Sequence, residues 1–230
     1  MICFRDVCFS YIEGNLVLNN VNLQISSGLT LLLGPNGCGK STLLKTMAGV
    51  ERPDSGSIEI GGCNLWTDEA AARRDLAFVP EQPDLTPYAS VKDVIALVCR
   101  LRHESSSKGR EALEKVSLEH VSNRTIRELS MGQRRRVVLA AAWIGHPKII
   151  LLDEPLESMD RIIRESIDSW IDELMKKNAT VVIVAHEIET FIAKASRAIT
   201  IRAGHSDMHD SLPLEPKEKL QLLDRLARGL

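Results

Sequence analysis

The chain has no stretch near the roughly 20 apolar residues needed to span a bilayer, so it does not cross a membrane by itself. Its five cysteines (Cys3, Cys8, Cys38, Cys63 and Cys99) are odd in number and scattered, and no two form a CxxC pair. That pattern excludes a disulfide framework and a cysteine zinc site, and it reads as reduced thiols in a cytosolic protein. Charge of one sign is also lacking. The net charge of −2 gives no nucleic-acid footprint, despite the local run Arg134-Arg135-Arg136, which reads as the solvated face of a helix. Arg5 and Asp6 interrupt any signal-peptide core at the start. There are no internal repeats. The 230 residues suffice for one α/β domain with an inserted subdomain, not for two large domains.

Short apolar runs with strand character recur at Leu29–Leu33, Leu76–Val79, Ile149–Leu152, Thr180–Ala185 and Ala198–Ile201. Alternation with amphipathic segments predicts a mostly parallel sheet covered on both faces. Residues 1–25 and Ser57–Ile60, with turns at Glu13-Gly14-Asn15 and Gly61-Gly62, predict a small antiparallel sheet beside it. Residues 85–145 lack strand signals and read as an all-helical insertion. Ser90 and Asp93 make a capping box before Val94, Ile95, Leu97, Val98 and Leu101. His103–Arg110 reads as a polar loop, and Glu111–Val116 as a short helix. Asp160 caps a helix with Ile163, Ile167, Trp170, Ile171 and Leu174 on one face. His205–His209 reads as a loop in which a metal site is improbable. Lys217–Leu230 predicts an amphipathic terminal helix, packed on the domain or docked on a partner.

Gly34-Pro35-Asn36-Gly37-Cys38-Gly39-Lys40-Ser41-Thr42 fits the pattern GxxxxGK[ST] in full, after a strand and before a helix. Glycines let the backbone curl so that successive N–H groups point at phosphate oxygens, and the helix start adds its positive end. Lys40 is placed to bind β- and γ-phosphates, Ser41 to bind Mg²⁺, and Thr42 to reach the α-phosphate side. This pattern alone does not choose among kinases, GTPases and ATPases. KIILLDEP narrows it, because a buried strand ends in Asp153 and Glu154. Asp153 can hold the Mg²⁺ shell beside Ser41, and Glu154 can orient or deprotonate an attacking water.

Taken together, these motifs resemble the ATP-binding subunits of ABC transporters, over nearly the whole chain. Gly34–Thr42 resembles Walker A and Ile149–Glu154 resembles Walker B with its catalytic glutamate. Gln82, in FVPEQPDL, resembles the Q-loop glutamine, a ligand of Mg²⁺ and water. Leu129–Gln133, LSMGQ, is similar to the LSGGQ signature, with Met131 in place of a glycine. Glu157–Asp160 occupies the D-loop as ESMD. His186 resembles the H-loop histidine that contacts the γ-phosphate, and Tyr11 sits where these proteins stack an aromatic on adenine.

The resemblance implies the ABC ATPase fold: a P-loop core with a mostly parallel sheet, an antiparallel β subdomain and the helical insertion. One domain is expected over 1–230, with core at about 1–84 and 146–204, helical subdomain at 85–145 and tail at 205–230. It implies ATP and Mg²⁺ as ligands, and hydrolysis with Glu154, His186, Gln82 and Lys40 as catalytic residues. It implies a head-to-tail homodimer or heterodimer in which Ser130, Gly132 and Gln133 close on the partner's ATP. It further implies a separate integral membrane permease, reached through a groove in residues 82–104, and thus a peripheral place on the cytoplasmic face of the membrane. FVPEQPDLTPYASVKDVI is similar to exporter-type subunits for drugs, polysaccharides, peptides or haem. The alternative is a soluble ABC ATPase acting in assembly, for example of iron–sulfur clusters, without a permease.

Overall fold

The structure, a computed structural model, describes residues 1–229. Strands β1 (Ile2–Ile12) and β2 (Asn15–Ile25) form an antiparallel hairpin, turned at Gly14 with φ 83°. Strand β3 (Gly28–Leu33) leads through the glycine-rich loop to helix α1 (Lys40–Ala48). Then come β4 (Ser55–Ile60), β5 (Cys63–Asn64), the short helix α2 (Glu69–Arg73) and β6 (Leu76–Val79). Three helices follow without a named strand between them: α3 (Val91–Leu101), α4 (Ser106–Lys115) and α5 (Met131–Trp143). The chain closes with β7 (Ile149–Asp153), α6 (Arg161–Lys176), β8 (Thr180–Val184), β9 (Ala195–Arg202), β10 (His205–His209) and α7 (Pro216–Arg228).

One sheet runs β2-β1-β4-β5 and is antiparallel throughout. The other runs β10-β9-β3-β8-β7-β6, parallel except for the edge strand β10. Period-two alternation assigns the faces. Leu29, Leu31 and Leu33 of β3 pack with the helical insertion, α6 and α7, while Leu32 packs with α1 and the antiparallel sheet. Leu43, Leu44 and Met47 of α1 are fully buried between the two sheets. In β7 Ile150, Leu151 and Leu152 are all fully buried, as a doubly covered parallel strand requires, each contributing about 1.5–3 kcal/mol. Ser90 and Asp93 cap each other at the start of α3, and Asp160 Oδ1 accepts from the Ile163 N–H at 3.0 Å to start α6. The five apolar residues expected on α6 are all buried. Trp143 at the end of α5 meets Trp170 of α6 edge to face, with ring centroids 5.5 Å apart at 79°.

Two segments differ from expectation. Residues 103–110 are not one polar loop, because α4 begins at Ser106 and includes Gly109. That glycine lets α3 approach: a Cβ there would lie 2.7 Å from Ile95 Cγ2. His205–His209 is a strand, paired with Ala198–Arg202 across the Ala203-Gly204 turn, in which both residues have positive φ. The tail after residue 204 therefore opens with an edge strand before α7. On α7, Leu223 is buried and Leu220, Leu226 and Ala227 are partly buried, whereas Leu230 lies outside the described residues.

The parallel strands β3, β8, β7 and β6 are neighbours and end on the same side, where open α/β sheets bind their ligands. There they deliver the glycine-rich loop from Asn36 to Thr42, His186, Asp153 with Glu154, and Glu81 to one place.

Candidate functional site

A cleft of about 480 Å³ opens at those strand ends. The glycine-rich loop forms one wall, with Asn36, Gly37, Gly39, Lys40, Ser41 and Thr42, and Tyr11 and Val17 of the antiparallel sheet extend it. Opposite lie Glu81, Asp153, Glu154, Val184 and His186. The loop's course depends on glycine. Gly34 has φ 145°, and a Cβ there would lie 2.6 Å from the Ile201 carbonyl oxygen and 2.7 Å from Cys38 Sγ. Gly39, at φ 107°, precedes α1, whose first turn has no side-chain cap, so its N–H groups face the cleft end of the helix. Lys40 Nζ donates to the carbonyls of Gly34 at 2.8 Å and Pro35 at 3.0 Å, which stretches the side chain back across the loop.

Asp153 is 2% exposed, and its Oδ1 is buried without a hydrogen-bond partner. Burial pushes its carboxyl above the usual range. The Ser41 hydroxyl opposes that, Glu81 adds to it, and Lys45 and Lys40 oppose it. An orphaned, buried carboxylate oxygen beside a hydroxyl is a donor set that suits a hard divalent cation completed by phosphate oxygens and water. Glu154 is also buried and its carboxyl is raised, first by burial, against the pull of the His186 backbone N–H. That N–H donates to Glu154 Oε2 at 3.0 Å, and His186 Nε2 lies 3.6 Å from Oε1. Glu154 has φ 50°, a left-handed backbone that is rare for a non-glycine residue.

The expected residues separate into three groups. Tyr11, Lys40, Ser41, Thr42, Asp153, Glu154 and His186 come together in the cleft. Tyr11 remains 56% exposed, with its ring nearly at right angles to that of Phe9 and its hydroxyl 3.3 Å from Thr42 Oγ1. Gly34 and Pro35 line a second cleft behind the loop, along with Asp224 and Ala227 of α7. Ser130, Gly132 and Gln133 lie outside the cleft at the start of α5. The Gln133 N–H donates to Ser130 Oγ, and the Ser130 N–H to Gln133 Oε1, a reciprocal cap.

Two expectations need correction. Gln82 is exposed and does not line the cleft; Glu81 does. The register pairs Val79 with Leu152, so Pro80 is level with Asp153 and the next residue turns in beside it. The signal lay in the sequence: Glu81 follows strand β6 at the distance that Glu154 follows Leu152. The three arginines are not a solvated face either. Arg134 donates to the carbonyls of Ile126 and Arg127, Arg136 to that of Val116, and Arg135 is 5% exposed. Nothing in helical periodicity distinguishes a buried, hydrogen-bonded arginine from a wet one.

A family profile described as "ABC transporter" matches residues 18–157. Among curated proteins, "Spermidine/putrescine import ATP-binding protein PotA" of Legionella pneumophila (strain Paris) is 37% identical over 212 residues, or 89% of this chain and 57% of that protein. "Fe(3+) ions import ATP-binding protein FbpC" of Escherichia coli (strain K12) is 36% identical over 83% of this chain and 56% of its own length. The chain thus spans a little over half the length of these relatives. Among solved structures, the dimeric post-hydrolysis state of the ATP-binding cassette MJ0796 bound to ADP and Pi superposes with a TM-score of 0.79 at 28% identity, covering 94% of this chain and 99% of that one. An ATP-binding subunit of an ABC transporter superposes at 0.82 with 22% identity, over 91% and 90% of the two chains.

Proposed function

Since the chain belongs to the ABC transporter family and has the fold of its ATP-binding cassettes, we propose that it binds ATP with Mg²⁺ and hydrolyses it to drive a membrane permease. The observation that carries the reading is the buried Asp153–Glu154 pair facing Lys40 and Ser41 across one cleft.

The loop N–H groups and the start of α1 hold the phosphate chain, and Lys40 places a cation on its terminal oxygens. Ser41 and Asp153 would hold Mg²⁺, with Glu81 beside them in place of Gln82. An ion bound there would supply charge neutralisation on the phosphates. Glu154, fixed by the His186 N–H, orients a water or takes its proton in line with the bond to be broken. His186, 68% exposed at its side chain, stands at the mouth of the cleft, where it can reach a γ-phosphate. The start of α5 presents Ser130, the Gly132 backbone and Gln133 to a second subunit, identical or not, which supports a head-to-tail dimer around two ATP. The dimeric cassette of similar fold supports the same assembly.

Among the described residues no helix is long and apolar enough to cross a membrane; membership of the transporter family is what supports a separate permease and a peripheral place on the cytoplasmic face. Tyr88, Leu97 and Leu101 are exposed at the start and along one side of α3, within the groove expected to meet it. For direction, the segment from Phe78 to Ile95 supports export, while the printed names of the relatives support import.

Glu154→Gln is expected to keep ATP affinity and to lower hydrolysis by roughly 10²-fold or more. A rate within threefold of wild type would sink the assignment. The same variant, tagged and recovered from detergent-solubilised membranes with ATP and Mg²⁺, is expected to bring a polytopic membrane protein with it. Recovery of soluble partners alone would transfer the chain to the assembly class.

A further inference from the structure

Arg135 lies in the first half of α5, five residues after Ser130, and its side chain runs inward to the turn that follows β7. Its Nη2 donates to the Glu154 carbonyl at 2.9 Å. Its Nη1 donates to the Glu157 carbonyl at 2.9 Å and to Glu157 Oε2 at 3.1 Å. One guanidinium therefore holds three oxygens of a four-residue turn. Burying a guanidinium is costly, and an apolar side chain would serve packing better. The planar fork matches this set of acceptors in a way that a lysine point charge does not.

The turn so held contains the left-handed Glu154. The Glu154 N–H is bound to the Val184 carbonyl at 2.9 Å, and its carboxylate accepts from the His186 N–H. Both anchors belong to β8 and the residues just after it. Arg135 is the anchor from the helical insertion, and it fixes the peptide plane on the carbonyl side of the same residue. That plane sets ψ of Glu154 and φ of Pro155, so with the N–H side held on Val184 the guanidinium fixes the course of the turn that keeps Glu154 in its left-handed backbone.

We propose that Arg135 is a positioning residue for Glu154, holding the carboxylate in its productive place and tying the start of α5 to the hydrolytic centre of its own chain. The proposal rests on the hydrolytic reading given above. Arg135 does not itself line the nucleotide cleft and reaches it only through the Glu154 carbonyl, so its effect is expected on turnover and not on nucleotide affinity.

The test uses the full chain with Arg135→Gln and Arg135→Lys. Both variants are expected to bind a fluorescent trinitrophenyl ATP analogue within threefold of wild type. In Arg135→Gln, kcat is expected to fall tenfold or more with KM within threefold, and Arg135→Lys is expected to recover part of the loss. In the Glu154→Gln background, Arg135→Gln is expected to lower the residual rate less than twofold, because residues that act as a unit are not additive. A kcat within twofold of wild type, a loss of affinity parallel to that of rate, or an equal loss in the Glu154→Gln background would overturn the role. Amide exchange followed by mass spectrometry reads the brace without hydrolysis. Residues 154–159 are expected to exchange at least tenfold faster in Arg135→Gln, with residues 34–42 unchanged, and unaltered protection of 154–159 would also overturn it. A wild-type chain that hydrolyses no ATP would remove the function proposed above and leave exchange to decide on Arg135.

Discussion

Lys40 is the one cation on the loop wall of the cleft, and two backbone carbonyls of its own loop orient it. Truncation removes both the charge for the phosphates and the strap across the loop. Lys40→Ala is expected to weaken ATP binding at least 100-fold by titration calorimetry, well beyond the loss of one exposed ion pair. Unchanged affinity would mean that the loop does not hold the phosphates. This part of the site was legible in the sequence because its chemistry is local: nine consecutive residues carry the spacing, and a strand end presents Asp153 and Glu154 side by side. Glu81 and Arg135 were not legible in the same way. One depends on which of two adjacent residues turns inward at a strand end. The other depends on a partner 19 residues away whose backbone, not side chain, is the acceptor.

Among the elements, the helical insertion shows why local polarity misleads. Helix α4 is polar over most of its length and carries a glycine, both of which argue for a loop. Packing overrides them. Ala112 and Leu113 are buried, and Gly109 is where α3 comes closest, with a would-be Cβ 2.7 Å from Ile95 Cγ2 and 2.9 Å from Cys99 Sγ. Gly109→Val is therefore expected to destabilise the protein by about 1–3 kcal/mol through overpacking. A urea midpoint equal to or above that of wild type would show that the two helices have room to part. Strand β10 escaped for the opposite reason. It is an edge strand in which Met208 is the one apolar residue, so no alternating apolar face marks it, and its pairing with β9 defines it. The parallel strands and α6 carried their own signal, since continuous burial or one-sided burial writes itself into the apolar pattern.

For the molecule as a whole, two sets of carboxyls pull stability in opposite directions with pH. Asp93, Glu111, Glu128 and Glu187 are held below their ordinary values, first by side-chain hydrogen bonds from Ser90, Lys108, Thr125 and Arg164. Their contribution is complete above the ordinary carboxylate range and is lost as pH falls through their lowered values. Asp153 and Glu154 are raised by burial, so the folded state binds protons more readily than the unfolded one. Their effect runs the other way: stability falls as pH rises from the ordinary carboxylate range through their raised values. In nucleotide-free protein, Glu154→Gln is expected to melt higher than wild type at pH 7, by about 2–4 °C for each 1 kcal/mol relieved. The gap is expected to narrow toward pH 5. Scanning fluorimetry at both values checks this, and a gap independent of pH would contradict the burial argument.

The Trp143–Trp170 pair joins the last residue of α5 to the middle of α6, and therefore the helical insertion to the sheet layer. The third tryptophan, Trp66, is bracketed by Arg52 and Arg73 in a different part of the molecule. Two indoles at 5.5 Å and nearly at right angles share their near-ultraviolet excitation, and the resulting optical activity depends on their mutual angle. The chain thus carries a native optical goniometer between its helical insertion and its sheet layer, readable by circular dichroism with no label attached.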